Sequence, residues 1–380
     1  MDTVSCKQAL MILNALPKIG PTKIRKLIKH FGKNICSIFS QNLRGELEAI
    51  ISSSDADTII NYRSYFDLYH EERKLESICG KFITMFDDEY PKLLKEIHDS
   101  PVGLYVMGDL QASSKNIAIV GSRSATLYGL TVARNLAMKL ADRGFGIVSG
   151  MARGVDSAAH EGALSVKGTT VSVLGNGIDV IYPYENRDLR RRIVENGAII
   201  SEFPLDHRPD KLTFPIRNRI IAGMCHAVIV VESDKFGGSM ITARFANDYG
   251  RHVFAVPGRI DSNQSSGCLS LIKDGATMLT CVGDIFDELP YLSDSIRQET
   301  FELKETNPSH TTESIDKSKN ISCPVERLIY DILKRKKAMS ADDVINESNL
   351  QTKQVLNALQ MLEIRGITFR RYDGLYELKR

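Results

Sequence analysis

The sequence predicts an α/β protein with a mostly parallel, doubly wound sheet at its centre. Between residues 116 and 289, short β-branched runs such as IAIVG and GIVSG alternate with helical stretches or glycine-rich loops. This alternation is typical of strands joined by crossover helices on both faces of a parallel sheet. At 380 residues the chain is too long for one ordinary core, so two or three domains are expected.

The composition narrows the class of protein. Apolar residues make up 43% of the chain and the net charge is only +2, so any anion-binding role must come from local patches of charge. Seven cysteines are scattered without a CxxC pair, which argues against a disulfide framework and against a zinc site. Because the sequence contains no recognisable signal peptide and no long apolar run, we expect a cytoplasmic protein without a membrane partner.

Four regions of the chain differ in pattern. Residues 1–80 carry short helical stretches, and residues 81–289 carry the alternating strands. Residues 290–322 are polar, aperiodic and rich in Ser and Thr, and residues 323–380 form a compact helical pattern. We therefore predict a helical N-terminal domain, a central α/β domain, a linker and a small C-terminal domain.

Glycine-rich or hydroxyl-rich loops follow three of the predicted strands. The first reads GSRS and carries Ser122 and Arg123; the second reads MARGVD, where Asp156 is predicted to cap a helix. The third loop contributes Gly237, Gly238, Ser239 and Thr242. In a doubly wound sheet such loops meet at one edge, where backbone N–H groups and helix N-termini favour an anion. A GxGxxG fingerprint is missing from the first loop, so NAD is not expected and no cofactor is predicted.

The stretch LTFPIRNRIIAG places charges inside an otherwise apolar run. Lys211 and Phe214 lie three residues apart just before a predicted helix. This spacing suits a Lys211 ammonium that contacts a phosphate and a Phe214 ring that stacks on the neighbouring base. Arg217 and Arg219 are two residues apart, so at most one reaches an anion beside Asn218 while the other tethers the loop. Structural ion pairs for both arginines, and a core position for Phe214, remain open alternatives.

Several of these stretches together resemble the DprA/Smf family of bacterial DNA-processing proteins. The similar segments are YPKLLKEIHDSPVGLYVMGDL, IAIVGSRSATLYG, SGMARGVDSAAHEGAL, FPIRNRIIAG, GGSMITARFA and HVFAVPG, which cover about residues 88–280 in the order typical of the family. The resemblance implies an extended Rossmann-like domain that binds and protects single-stranded DNA and loads the recombinase RecA in natural transformation. It also implies a homodimer without an established catalytic activity.

The resemblance further implies which residues contact DNA. Carried over motif by motif, the pocket consists of Ser122, Arg123, Lys211, Phe214, Arg217, Asn218, Arg219, Gly237, Gly238, Ser239 and Thr242. The RecA surface and the dimer surface are not encoded in these motifs, so no residues are assigned to them.

The flanking regions carry weaker signals for DNA binding. LPKIGPTKIRKLIKHFGK contains six Lys and Arg and no acid, and it is similar to a helix-hairpin-helix, a SAM-like unit whose loop can hold a phosphate. Lys18 stands where a second glycine is usual, so a packing or partner-contact role stays open. Residues 325–380 resemble a winged helix with a hairpin turn at Asp373-Gly374. Its third helix is weakly basic, although the hairpin adds Arg370 and Arg371, so both DNA reading and protein contact stay open.

Two other classes of function are alternatives to a binding protein. A phosphoribohydrolase-like enzyme on a related fold needs a glutamate soon after the glycine pair, whereas the next acid here is Asp248. Asp156 and His160 have the spacing of an acid–base pair, but a helix cap and a structural histidine explain them better. A sequence-specific regulator would not explain the three anion loops. We therefore expect no enzymatic activity and no metal.

Overall fold

The computed structural model describes residues 4–110, 115–292, 323–336, 338–348, 350–364, 367–370 and 375–378. The chain divides into two compact units, residues 1–303 and residues 304–380. The linker was predicted at residues 290–322, and residues 293–322 of it lie outside the described residues. Within the described ranges, no helix is both long and apolar enough to cross a membrane.

The first unit is built on a nine-stranded sheet. In chain order its strands are β1 (Gly80–Thr84), β2 (Gly103–Gly108), β3 (Asn116–Val120), β4 (Gly146–Ser149), β5 (Thr170–Leu174), β6 (Gly197–Ser201), β7 (Ala227–Val230), β8 (His252–Ala255) and β9 (Thr277–Met278). The spatial order is β1-β2-β6-β5-β4-β3-β7-β8-β9. Strand β2 is antiparallel to both of its neighbours, and every other neighbouring pair is parallel. The mostly parallel sheet predicted from the sequence is therefore confirmed.

Helices cover both faces of this sheet. The described helices of this unit are α1 (Cys6–Ala15), α2 (Pro21–Phe31), α3 (Arg44–Ile50), α4 (Ser53–Ile60), α5 (Leu68–Ser77), α6 (Lys92–Glu96), α7 (Leu127–Ala141), α8 (Val155–Ser165), α9 (Arg187–Asn196), α10 (Thr213–Gly223), α11 (Gly238–Asp248), α12 (Ser266–Lys273) and α13 (Gly283–Glu288). Alternate residues of β3 point to opposite faces. Ile117 and Ile119 join the core with α7 and α8, while Ala118 and Val120 join the core with α10 and α11.

The strand order reverses at the centre of the sheet. From β3 the chain proceeds outward through β4, β5 and β6, and it then crosses back through α10 to β7 on the other side of β3. The connections that leave the adjacent carboxyl ends of β3 and β7 therefore run in opposite directions along the sheet, which makes this a topological switch point. Ligands of doubly wound sheets bind in the crevice at such a point.

The N-terminal helices share a core with the sheet. Leu10, Ile12 and Leu27 pack in the same buried cluster as Phe82 of β1 and Tyr105 of β2. Residues 1–80 therefore lie within the same compact unit as the sheet, and the predicted domain boundary near residue 80 stays a prediction.

The segment predicted as a helix-hairpin-helix, residues 16–33, contains the loop that follows α1 and the whole of α2. Lys18 in this loop has a φ of 65°, the left-handed conformation that usually favours glycine. Lys23 contacts Asp55 at 2.7 Å, and Arg25 donates to the carbonyl of His98 at 2.7 Å. These two cations therefore hold the helices in place, which leaves fewer basic side chains for DNA than the sequence indicated.

The second unit has its own small core. Its described helices are Pro324–Lys336, Ala341–Ser348 and Thr352–Ile364, and its three-stranded sheet contains Ala338–Met339, Thr368–Arg370 and Tyr376–Leu378. The core is formed by residues such as Leu333, Val344 and Leu359. Arg371 and the predicted turn at Asp373-Gly374 lie outside the described residues. That this unit is a winged helix stays a prediction.

Candidate nucleic-acid interface

A cleft of about 440 Å³ opens at the switch point of the sheet. The loop after β3, the loop after β7 and helix α10 form its walls. The sequence-predicted residues that line it are Ser122, Arg123, Lys211, Phe214, Arg217, Asn218, Gly237, Gly238, Ser239 and Thr242. The structure thus brings together the three predicted loops, as expected for loops at the carboxyl ends of parallel strands.

The GSRS loop is held between two neighbouring elements. The Ser122 amide donates to the carbonyl of Glu232 at 2.7 Å, and the Ser122 carbonyl accepts from the Val155 amide at 3.2 Å. Gly154 has a φ of 78°, and a Cβ atom there would collide with the Ser122 carbonyl. The close approach therefore requires glycine at this position. Because the backbone is fixed on both sides, Arg123 is presented outward from a rigid loop.

Helix α7 begins directly behind this loop. Thr126 is its N-cap, and the Thr126 Oγ1 accepts from the Gly129 amide at 3.2 Å. The Glu232 carboxylate accepts from the Thr126 amide at 2.8 Å and from its hydroxyl at 2.6 Å. The helix start that the sequence predicted near Thr126 is thus observed, and Glu232 ties it to the end of β7.

Arg217 forms part of the cleft wall and is almost completely buried. Its Nη1 donates to the carbonyl of Gly150 at 2.7 Å and to the carbonyl of Val173. Burial lowers the pKa of the Arg217 guanidinium to about 10, and the nearby Asp156 carboxylate opposes that shift. At neutral pH Arg217 therefore remains a fixed positive charge at the floor of the cleft.

Arg219 lies elsewhere, which corrects its assignment to the DNA pocket. Its Nη2 donates to both carboxylate oxygens of Glu202 at 2.6 Å, and its Nη1 donates to the carbonyl of Asp99 at 2.7 Å. Both partners of the ion pair are buried. The physical reason is the helical spacing: two residues apart, Arg217 and Arg219 point to different sides of α10. Arg219 is therefore the tether.

Phe214 stands at the boundary between this cleft and a second, smaller one of about 140 Å³. The guanidinium carbon of Arg123 lies 5.0 Å from the centroid of its ring, which is a cation–π distance. The ring of Tyr182 stacks on it at 5.6 Å with an interplanar angle of 28°. Phe214 is half-buried, so its ring forms a wall of both clefts and is only partly enclosed by the protein.

The glycine-rich loop after β7 forms the opposite wall. The Asn218 side-chain amide donates to the Gly238 carbonyl at 3.1 Å, and the Ser239 hydroxyl donates to the Ser233 hydroxyl at 2.8 Å. Helix α11 begins at Gly238, which lines the cleft, and its N-cap residue Gly237 provides no side-chain oxygen to the first amides. Asn218 therefore positions the loop, and the N-terminus of α11 adds a favourable end for an anion.

Two carboxylates lie in the cleft lining, and both accept hydrogen bonds from the backbone. Asp234 Oδ1 accepts from the Phe236 amide at 2.8 Å. Asp156 Oδ2 accepts from the amides of Gly150 at 3.2 Å and Ala152 at 3.3 Å. Burial raises the pKa of Asp156, and the charge of Arg217 opposes this shift. These bonds hold both carboxylates against their own loops.

The prediction that Asp156 caps helix α8 is wrong. The helix begins at Val155 and its N-cap is Gly154, because only the left-handed Gly154 allows the chain to approach the GSRS loop. The proposed acid–base partner His160 is buried, and its Nδ1 contacts the Thr170 hydroxyl at 2.7 Å. Each member of the hypothetical pair is therefore hydrogen-bonded to other groups, although Asp156 does not form the helix cap that the structural alternative assumed.

Several lining residues were not found by sequence reasoning. Tyr182 and Pro183 line the smaller cleft together with Met151 and Asn176, and Ser233 and Asp234 line the larger one. Tyr182 lies in the connection that follows β5 and is distant in sequence from all three predicted loops. The adjacent pattern IYPYEN, with two exposed tyrosines, is the signal that could have identified it. Among the described residues, no group of three His, Cys, Asp or Glu side chains is placed to hold a metal ion.

A doubly wound sheet with a basic and aromatic cleft at its switch point defines the class as an α/β protein with a candidate anion-binding cleft, and the comparisons with known proteins identify its family. The sequence profile of DNA recombination-mediator protein A matches residues 81–290, and the chain belongs to that family. Among its relatives, the DNA processing protein DprA of Streptococcus pneumoniae is 41% identical over 280 residues, or 73% of this chain and 96% of the relative.

Further relatives carry related names. The DNA processing protein DprA of Bacillus subtilis is 40% identical over 210 residues, or 55% of this chain and 71% of the relative. The crystal structure of Streptococcus pneumoniae DprA matches with a TM-score of 0.65 at 33% identity, and the match covers 74% of this chain and 97% of that chain. A role in DNA processing and recombination follows from the family, and the Rossmann-like architecture expected from the sequence is that of its solved relative.

Proposed function

We propose that this protein is a non-enzymatic recombination mediator that binds single-stranded DNA in the cleft at the switch point. The observation that carries the proposal is the junction of the two clefts, where the Arg123 guanidinium and the Tyr182 ring both pack on Phe214. A cationic groove beside stacking rings is the arrangement by which proteins hold single strands without reading their sequence. A duplex keeps its bases stacked inside the helix and cannot offer them to Phe214.

The phosphate backbone would occupy the larger cleft. Arg123 and Lys211 are exposed at its rim, and Arg217 supplies a buried charge at its floor. Backbone amides at the start of α11 add donors on the opposite wall. Because the contacts are to phosphates, affinity should fall as salt rises, with a slope of about −0.7 in log–log form for each phosphate contact.

The family relationship supports the remaining parts of the proposal. We propose that the bound strand is protected and handed to a RecA recombinase in natural transformation, that the protein acts in the cytoplasm as a homodimer, and that it needs no cofactor. No residues are assigned to the RecA or dimer surfaces.

The geometry gives no support to the phosphoribohydrolase alternative. That chemistry would need a carboxylate just after the glycine pair, but Asp248 is the last residue of α11 and is exposed. At 1.5 Å per residue it lies about 15 Å along the helix from Gly238. The carboxylate of Asp156, which does line the cleft, accepts two backbone hydrogen bonds and faces Arg217.

The proposal is tested by fluorescence anisotropy with a labelled oligo-dT and a matched duplex. For the double variant Arg123→Ala with Lys211→Ala, we expect the dissociation constant for oligo-dT to rise by at least about tenfold, or about 1.4 kcal/mol. The slope of log affinity against log salt should decrease by about 1.4, since two phosphate contacts are lost.

A matched control removes the same number of positive charges, one Lys and one Arg, at the opposite edge of the sheet. Lys139 and Arg143 are exposed at the far end of α7, so the double variant Lys139→Ala with Arg143→Ala should bind oligo-dT like the wild type. Equal losses in both double variants would mean that only net charge matters. Failure of the wild type to bind oligo-dT would reject the proposed function.

A further inference from the structure

A second group of exposed aromatic and basic side chains borders the smaller cleft. Tyr182 is 43% exposed and Tyr184 is 69% exposed. The chain then enters α9, where Arg187 and Arg191 are exposed and lie one helical turn apart. We call these four residues the tyrosine track. Exposed aromatic side chains grouped beside a cleft mark a binding surface more often than a random part of the surface.

The tyrosine track begins at the DNA cleft itself. The ring of Tyr182 stacks on Phe214, and Tyr182 lines the smaller cleft that Phe214 separates from the larger one. Tyr184 opens the next short helical turn, Tyr184–Asn186, which leads into α9. Tyr184 thus follows along the chain two residues after Tyr182, whose ring packs on Phe214.

The connection that carries the tyrosines is fixed to the rim of the cleft. The side-chain amide of Asn186 is buried and donates to the Met151 carbonyl at 2.8 Å and to the Ser157 hydroxyl at 2.9 Å. Met151 itself lines the smaller cleft. The two exposed rings are thus presented from a rigid support, so little conformational entropy is lost when a base stacks on them.

The charges around the rings favour a polyanion. The guanidinium carbon of Arg187 lies 5.6 Å from the ring centroid of Tyr184, which repeats the pairing of Arg123 with Phe214. The nearby carboxylate of Glu185 is neutralised by an ion pair with Arg153. A carboxylate oxygen of Asp188 lies 3.9 Å from the Arg187 Nε. It reduces the positive potential around Arg187, but both side chains remain exposed to solvent.

We propose that the bound single strand continues out of the cleft along the tyrosine track, with bases stacked on Tyr182 and Tyr184 and phosphates on Arg187 and Arg191. This inference rests on the proposed function, because it extends the same binding site. Its consequence is a dependence on length. A short strand fills the clefts alone, whereas a longer strand also gains the stacking and phosphate contacts of the tyrosine track.

The test compares oligo-dT of about 6 and about 20 nucleotides by fluorescence anisotropy, with the site sizes of known single-strand binders as a guide. For Tyr184→Ala with Arg187→Ala, the dissociation constant for the long strand should rise roughly tenfold, the effect of one lost stacked base. The salt slope for the long strand should also decrease by about 0.7, whereas binding of the short strand should change by less than about twofold.

The chain offers a matched control on α5. Tyr69 is exposed, and the Arg73 guanidinium carbon lies 5.4 Å from its ring, so the pair has the same composition but lines neither cleft. Tyr69→Ala with Arg73→Ala should bind both strands like the wild type. The conservative variant Tyr184→Phe with Arg187→Lys should recover most of the affinity for the long strand, which a folding defect would not explain.

The outcomes separate the two proposals. If Tyr184→Ala with Arg187→Ala binds the long strand as the α5 control does, the tyrosine track is not part of the DNA site and is assigned to a protein contact. If the wild type binds the short and the long strand equally well, the extension is also rejected while the cleft is retained. If the wild type binds neither strand, the proposed function itself fails.

Discussion

At the scale of single residues, the position of Phe214 depends on the absence of a side chain at Gly175. A Cβ atom at Gly175 would lie 2.9 Å from the Phe214 Cδ1 atom, closer than a relaxed contact allows. The backbone of Gly175 is not in the left-handed region, so an alanine there would act on the ring and not on the backbone. The orientation of the Phe214 ring thus depends on Gly175, which is distant in sequence, and not only on the residues adjacent to Phe214 in the chain.

We therefore expect Gly175→Ala to displace the Phe214 ring and to weaken oligo-dT binding by roughly tenfold, as for the loss of one stacking platform. The unfolding midpoint should change little, because the ring can turn toward solvent. Anisotropy and urea unfolding measure the two effects. Gly45→Ala is the control, since a Cβ atom at Gly45 meets no neighbour within 4 Å. A stable Gly175→Ala protein with unchanged affinity would exclude Phe214 from the interface.

A second residue-scale property is the neutral state of His160. Burial lowers the pKa of His160 to about 3 from the ordinary value of 6.5, and the positive charge of Arg217 acts in the same direction. An unfolded chain therefore takes up a proton at this site below pH 6.5, whereas the folded protein does so only near pH 3. The stabilising effect of the neutral histidine is complete above pH 6.5 and is lost as the pH falls toward 3.

We expect the free energy of unfolding to fall between pH 6.5 and pH 4 more steeply in the wild type than in His160→Gln, by up to about 1.4 kcal/mol per pH unit. Urea unfolding at a series of pH values measures the difference. The raised pKa of the neighbouring Asp156 acts with the opposite sign, but it is present in both proteins and cancels in the comparison. Parallel pH profiles would show that His160 is solvated or charged in the folded protein.

At the scale of elements, one buried ion pair joins helix α10 to the end of β6. Arg219 and Glu202 are both buried, and the Arg219 guanidinium donates to both carboxylate oxygens of Glu202. It also donates to the carbonyl of Asp99. Because α10 carries Phe214, Arg217 and Asn218, this pair sets the position of the whole wall of the cleft. Breaking a buried pair by removing one partner leaves an unpaired charge and is strongly destabilising.

Arg219→Ala should therefore lower the free energy of unfolding by about 3–5 kcal/mol. The double variant Arg219→Leu with Glu202→Leu should recover much of this loss, since it leaves no unpaired charge, and both are measured by urea unfolding. The folded double variant should still bind oligo-dT. If it is stable but does not bind, Arg219 belongs to the interface after all.

At the scale of the whole molecule, the residues proposed to bind DNA lie in one of the two compact units. Both clefts and the tyrosine track fall within residues 1–303, and the buried core of the second unit contains only residues of that unit. The first unit therefore has its own complete hydrophobic cores.

A chain that ends at Leu303 should fold and bind oligo-dT with a dissociation constant within about threefold of the full chain, or about 0.7 kcal/mol. Circular dichroism and anisotropy check the two parts of this prediction. If the shortened protein is folded but no longer binds, the C-terminal unit contacts DNA, and the winged-helix alternative for DNA recognition is supported.

Much of the fold could be predicted from the sequence because its signals are local. The runs from IAIVG to HVFAVPG are buried strands, and their β-branched residues alternate with helices at the spacing that a parallel sheet requires. The three anion loops follow from the same rule, since all carboxyl ends of parallel strands lie at one edge. The antiparallel placement of β2 between β1 and β6 was not predicted, because strand pairing depends on residues far apart in the chain.

The sequence by itself determined the strands, the loops at their ends and the side chains that those loops offer to an anion. Only the tertiary structure decided which of these side chains reach the cleft. In the structure Arg217 lies at the floor of the cleft, whereas Arg219 binds Glu202. The N-cap of α8 is Gly154 and not Asp156, and the ring of Tyr182 packs on Phe214. The physical reason is that backbone conformation follows mainly from neighbouring residues, whereas the partner of a side chain is set by packing between distant segments.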